Sequence, residues 1–345
     1  MGRVHTRGED VCRFIVQHVG AHPNDIARVA AEHFNISRQA INKHIRRLVD
    51  EKSLVREGKT RNSEYKLAPL DRWTKSYPID SELAEDRVWQ NDIRPALGNL
   101  PDNVMNIWHH GFTEMFNNAI DHSAGSKILV MVEKTAATSE MLIADDGVGI
   151  FRKIQKAKGL LDVRHAILEL SKGKLTTDPR RHSGEGIFFT SRMFDLFRIS
   201  SEGAFFSHEF GDDEDWLLEN PQAKGTAVWM KLQNHTSRTT KKIFDQFAPG
   251  DEFGFSKTVV PVHLAQYGND LLVSRSQAKR VLARVDQFKS VVFDFKEVES
   301  IGQAFADEVF RVFALAHPEI ELTAIHANSA VKRMIAHVKA NAAAT

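Results

Sequence analysis

One cysteine, Cys12, stands in a chain of 345 residues. No disulfide can form within one chain, and this fits a reducing compartment such as the cytoplasm. Cys12 itself reads as a small apolar packing residue. No apolar run approaches the roughly 20 residues that span a bilayer, so no membrane segment is expected. The first residues are charged, and no secretory leader is expected there. Internal repeats are lacking, which excludes a repeat array. Net charge is scarce as well. The 46 Lys and Arg against 45 Asp and Glu give the whole molecule no strong field for nucleic acid or membrane.

The charge that is there is unevenly spread. Residues 1–70 hold 13 Lys and Arg against 8 Asp and Glu, an asymmetry that points to a nucleic-acid-binding end. The length allows two or three domains. Val11, Phe14, Ile15 and Val19 line one face of a helix over 10–19. Pro23 suits the start of a second helix over 24–33. Ser37 is a good N-cap for a third over 38–51. That helix buries Ile41, Ile45, Leu48 and Val49, and exposes Arg38, Gln39, Asn42, Lys43, Arg46 and Arg47. Such side chains read base edges and phosphates in a major groove. Short strands over 54–56 and 64–67 flank a polar loop with Lys59 and Arg61. The order resembles a winged helix-turn-helix, and the resemblance implies DNA as a partner of residues 1–70. Residues 71–100 read as a helical connector broken by Pro78 and Pro95.

A helix over 104–122 carries Glu114, Asn118 and Asp121 on one face. Polar groups on a buried stripe need partners, and a magnesium-phosphate centre supplies them. Mg2+ takes hard oxygen ligands, so the Asn118 amide can hold it. Glu114, one turn earlier, can take a proton from an attacking water. Strands over 127–132 and 140–144 follow, the second ending at Asp145-Asp146-Gly147-Val148-Gly149-Ile150. A carboxylate at a strand end can accept from an adenine amino group. Residues 152–181 read as a basic, partly helical lid, with Lys172-Gly173-Lys174 and Arg180-Arg181-His182 as phosphate contacts. Ser183-Gly184-Glu185-Gly186 then opens a helix over 187–197, where free N–H groups suit phosphate oxygens. Lys224-Gly225-Thr226 enters a strand, with the Thr226 hydroxyl available near Asp145.

Taken in order, these blocks resemble the gyrase, chaperone, histidine-kinase and mismatch-repair (GHKL) ATPase superfamily over about residues 100–233. The resemblance implies an ATP site. Glu114 would be the general base, Asn118 the Mg2+ ligand, Asp145 the adenine reader and Thr226 its helper. Asp121, Ile150 and Ser183 would lie at the nucleotide, and Gly147, Gly149, Gly184 and Gly186 would shape the pocket. One departure is the short second glycine box, with Glu185 between its glycines. Glu114 also bears on mechanism. Histidine kinases of this superfamily usually have Asn there, and no helical hairpin with a phosphoacceptor histidine precedes the module, so histidine phosphorylation is not expected.

Residues 236–254 read as a linker. Beyond it, strands over 258–264, 290–295 and 321–325 alternate with helices over 276–285, 301–316 and 328–338, which argues a small sheet with parallel pairs. Val291-Val292-Phe293-Asp294-Phe295 followed by Ile301-Gly302-Gln303-Ala304 resembles a STAS-like domain over 255–340, of the kind found in anti-sigma-factor antagonists. That family's regulatory serine falls at Gly302-Gln303-Ala304, which carries no hydroxyl. A protein partner through this domain is implied.

The expected fold class is multidomain α+β. A winged helix-turn-helix comes first, then a two-layer α/β sandwich of the GHKL (Bergerat) type over 101–235, then the small STAS-like domain. The leading functional reading is a cytoplasmic, ATP-binding and ATP-hydrolysing DNA-binding regulator, with ATP and Mg2+ as cofactors. Nucleotide would control conformation or assembly, including an ATP-dependent homodimer. A serine/threonine kinase of the anti-sigma type is the second reading, and a non-catalytic scaffold holding structural ATP the third.

Overall fold

A computed structural model describes residues 7–58, 63–175, 184–201, 203–210, 215–217, 224–248, 255–266 and 271–343. Three helices open it: α1 (Arg7–His18), α2 (Ile26–Phe34) and α3 (Arg38–Asp50). Apolar residues at spacings of three and four meet between them. Val11, Ile15, Ile26, Ala30, Ile41, Ile45 and Leu48 form a closed cluster with Leu54. The Ser37 hydroxyl accepts from the Ala40 N–H at 3.2 Å, which starts α3 where a free N–H needs a partner. β1 (Leu54–Glu57) and β2 (Glu64–Leu67) pair antiparallel, Leu54 opposite Leu67.

A seven-stranded antiparallel sheet follows. Its strands are β3 (Asp71–Pro78), β4 (Lys127–Lys134), β5 (Thr138–Asp145), β6 (Leu196–Ser201), β7 (Ala204–Glu209), β8 (Asp215–Leu217) and β9 (Thr226–Gln233). Their spatial order is β3-β4-β5-β9-β6-β7-β8. Alternate residues point to one face, and there Ile128, Val130, Ile143, Phe197, Ile199, Val228 and Met230 are buried. Helices cover that face. They are α4 (Glu85–Val88), a π turn (Trp89–Ile93), α5 (Arg94–Leu97), α6 (Asp102–His122), α7 (Ile150–Lys158), α8 (Val163–Lys172), α9 (Gly186–Met193) and α10 (Thr240–Phe247). In α6, Val104, Ile107, Trp108, Phe112, Met115, Phe116 and Ala119 are buried, a stripe at helical spacing that leaves Glu114 and Asn118 at its margin.

The C-terminal part is a three-stranded parallel sheet of β10 (Lys257–Pro261), β11 (Ser290–Asp294) and β12 (Glu321–Ile325), in that order. With it come α11 (Arg275–Leu282), α12 (Gln303–Asp307), α13 (Ala314–Ala316) and α14 (Ser329–Ala343). A π turn over Glu308–Phe313 joins α12 to α13. The continuous apolar run of β11 fits a central parallel strand buried on both faces.

Several local expectations change. Residues 71–78 are a strand, not helical connector. Trp73 is half-buried and Tyr77 buried while Arg72, Thr74, Ser76 and Pro78 between and beside them stay exposed, as strand alternation requires, and the strand sits at the sheet edge where Pro78 costs no ladder bond. The helix expected over 187–197 ends at Met193, because Phe197 and Ile199 alternate with Arg198 and Ser200 into β6. Strands β6 to β8 had no counterpart in the sequence reading. The stretch 236–254 carries helix α10, started by Thr239, whose hydroxyl accepts from the Lys242 N–H at 3.1 Å. The basic segment after Ile150 is two helices, and every residue from His165 to Lys172 in α8 is buried.

Candidate functional site

The helix α6, the end of β5, α7, the segment 170–175 and the start of α9 surround one cavity of about 260 Å³. Of the residues singled out from sequence, Glu114, Asn118, Asp145, Ile150, Gly184, Gly186 and Thr226 all line it. Asp121 follows Glu114 by seven positions and Asn118 by three, yet it is exposed and lies outside the lining. Its charge acts instead on Lys153. Gly147 and Gly149 also lie outside the lining and shape the loop behind it. Ser183 and the basic run 180–182 fall outside the described residues, as do Lys59 and Arg61.

Asp145 ends β5 where the sheet stops and the loop begins. Its Oδ1 accepts from the Gly147 N–H at 2.9 Å and from the Thr226 N–H at 3.3 Å. Burial nevertheless raises its carboxyl above the ordinary value. The Thr226 hydroxyl accepts from the Ile150 N–H at 3.0 Å, so strand β9 and the start of α7 are clamped together at the cavity. Gly149 takes φ 78 just before α7, a left-handed backbone that suits glycine. Asp146 points the other way. It accepts from the Ser126 N–H at 2.7 Å, the Ser126 hydroxyl at 2.6 Å and the Lys127 N–H at 3.1 Å. These donors hold its carboxyl down to about 2, so two adjacent aspartates take opposite tasks.

Gly186 brings α9 hard against α6. A Cβ there would overlap Glu114 Oε2, so the carboxylate in its present position and the helix start share the space because residue 186 has no side chain. Gly184 is held by its carbonyl, which accepts from the Leu175 N–H at 3.0 Å.

Three polar lining residues were not singled out from sequence: His122, Ser123 and Lys153. The Lys153 ammonium donates to the His122 carbonyl at 2.8 Å, and burial lowers its pKa. A signal was available in the helical spacing, since Lys153 lies one turn after Ile150 and His122 four after Asn118. Apolar side chains complete the wall, among them Ile143, Ile154, Leu170 and Leu175. A mainly apolar cavity with a few convergent polar groups is what a small-molecule site requires.

The proposed phosphate contacts at 172–174 belong elsewhere. Lys172 is fully buried and donates to Glu169 Oε1 at 2.7 Å and to the Arg280 and Ala283 carbonyls at 3.0 and 2.9 Å. Lys174 donates to the Gln287 carbonyl at 2.8 Å. Both lysines therefore serve the contact with the C-terminal part, at the end of α11 and the turn after it. An ammonium as enclosed as that of Lys172 demands such partners.

On α3, Arg38, Gln39, Lys43, Arg46 and Arg47 are exposed and Asn42 is half-buried. Arg47 donates to Glu51 Oε1 at 2.7 Å. Among the described residues no group of three or more His, Cys, Asp or Glu is placed to hold a metal ion, and no helix is long and apolar enough to cross a membrane.

Curated proteins yield no match to the chain. Residues 277–332 match the family described as a STAS-like domain of unknown function (DUF4325), and they span α11 to the start of α14 with strands β11 and β12.

Proposed function

We propose that this protein is an ATP-binding and ATP-hydrolysing regulator, with a GHKL-type nucleotide site over 101–235 and a DNA-reading winged helix-turn-helix over 1–70. The observation that carries it is the convergence of Glu114, Asn118, Asp145, Gly184, Gly186 and Thr226, from four separate sequence blocks, on one cavity. The donor set suits Mg-ATP. Mg2+ is held by one or two protein oxygens together with phosphates and water, so a cluster of acids is not needed. Asn118 would hold it, and Mg2+ supplies charge neutralisation for the phosphates. Glu114, whose carboxylate lies in the space left by Gly186, would take the proton of the attacking water. Asp145 would accept from the adenine amino group, and Lys153 adds a positive charge to the wall.

ATP can act on DNA binding, or on pairing into a homodimer, only through different affinities for two states of the chain. Gel-shift titrations with and without Mg-ATP test this, and the expected result is DNA binding whose affinity depends on nucleotide. Absence of DNA binding under every condition would sink the regulatory part. The STAS-like match at 277–332 favours one further reading, a serine/threonine kinase acting on a related domain. Within the chain, Gly302-Gln303-Ala304 has no hydroxyl to receive phosphate, so the acceptor would be another protein. Radiolabel transfer to protein supports the kinase, and inorganic phosphate as the only product supports the ATPase.

A further inference from the structure

The segment 169–175 has two faces that do different things. Leu170 and Leu175 line the cavity. The residues between and beside them are fastened to the C-terminal part. Arg284 donates to Glu169 Oε2 at 2.9 Å and to the Gly173 carbonyl at 2.8 Å, and it also reaches the Lys174 carbonyl. Lys172 joins Glu169 to the Arg280 and Ala283 carbonyls at the end of α11. Thr258 of β10 donates its hydroxyl to the Lys172 carbonyl at 2.6 Å. The Lys174 ammonium sits 4.7 Å from the Phe288 ring centre and donates to the Gln287 carbonyl at 2.8 Å. Gly173 lies so close to Phe255 that a Cβ there would meet the ring at 2.5 Å.

Glu169 and Lys172 are among the most enclosed charged groups of the described residues. Charges taken out of water are retained only with close partners, and loss of one partner strands the other. A plain packing contact between two sheets does not need them. What the whole set of contacts adds is direction: six backbone carbonyls and the Glu169 carboxylate fix the height and rotation of the last turn of α8. That turn carries Leu170 into the wall, and Leu175 in turn holds the Gly184 carbonyl through its N–H at 3.0 Å.

We infer that Glu169, Lys172, Lys174 and Arg284 are positioning residues for the cavity, through which the STAS-like part of the chain sets the wall against the nucleotide. The inference rests on the ATP reading above, because its readout is nucleotide affinity. A partner that draws on the STAS-like part would then act on the nucleotide site through this one segment, without touching the cavity.

The test is calorimetric titration of Mg-ATP into the full chain, well below the melting temperature of each variant, so that a loss of stability alone leaves affinity unmoved. Arg284→Met keeps the apolar stem and removes the donor fork. Lys174→Ala removes a contact at the edge of the core and keeps the variant set informative if Arg284→Met does not fold. Both are expected to bind Mg-ATP at least threefold more weakly than wild type, with the larger loss in Arg284→Met and partial recovery in Arg284→Lys. Affinity within threefold of wild type in either folded variant overturns the inference and leaves the ATP reading standing. A wild type that binds no Mg-ATP overturns the ATP reading and this inference with it.

Discussion

Gly186 is the tightest point of the site, because its missing side chain is the space that Glu114 Oε2 occupies. Gly186→Ala is expected to displace either the carboxylate or the start of α9. Nucleotide affinity and turnover should both fall by tenfold or more, while overpacking costs about 1–3 kcal/mol of stability. Titration and thermal melting of the variant check the two effects separately. His110 lies one turn before Glu114. Its Nε2 is buried without a hydrogen-bond partner among the described residues. Burial, helped by the neighbouring His109, lowers its pKa from 6.5 to about 4. Its folded pKa is therefore below the unfolded one, and as pH falls the unfolded chain takes up the proton first. The contribution to stability is full above pH 6.5 and is lost as pH falls towards 4, about 3 kcal/mol in all. His110→Phe should flatten that part of the stability profile, as followed by denaturant melts between pH 4 and 7.

At the scale of elements, α3 tests the DNA reading. Lys43→Ala and Arg46→Ala, both at exposed positions, should weaken binding across DNA sequences. Each should reduce the slope of log affinity against log salt by about 0.9 if it contacts phosphate. Fluorescence anisotropy over a salt series measures it, and unchanged slopes would remove those residues from the interface. The elements also mark where sequence was readable. The α3 start was legible from Ser37 as its N-cap, and β12 over Glu321–Ile325 stands where the alternation of strands and helices placed it. Strands β6 to β8 were not legible. Apolar residues cluster at 187–189, 193–194 and 196–197, so the end of the helix and the start of the strand after it lack one period that would separate them. Strand β3 was obscured by its polar outer face and by Pro78, both tolerable only because it is an edge. The site residues were legible as chemistry, since carboxylate, amide and glycine types stand out from a core. His122 and Lys153 were not, since a lone histidine or lysine on a helix is more often solvated than placed at a ligand. Lys172 misled for a related reason. Nothing in its local sequence tells a lysine that meets phosphate from one that meets the carbonyls of a distant helix end.

At the scale of the whole molecule, the described residues form two apolar clusters. Residues 11–54 close on themselves, whereas one cluster runs from Tyr77 through to Val338. Phe255 links its two parts, with ring centres 4.4 Å from Phe188, 5.0 Å from Phe189 and 5.1 Å from Phe288. The seven-stranded and three-stranded sheets should therefore melt as one cooperative unit, apart from the N-terminal helices. Differential scanning calorimetry should show two transitions. Phe255→Ala should lower only the larger, by about 3–5 kcal/mol. Three separate transitions would contradict a shared core. That shared core is also what lets the C-terminal sheet act on the wall of the cavity.

The most direct measurement of the central claim is calorimetric titration of Mg-ATP, paired with phosphate release, on wild type, Glu114→Ala and Asn118→Ala. Wild type should bind and hydrolyse ATP, Glu114→Ala should bind with turnover reduced at least a hundredfold, and Asn118→Ala should lose Mg-dependent binding. Wild type that binds no ATP, or variants indistinguishable from it in both binding and turnover, would contradict the account.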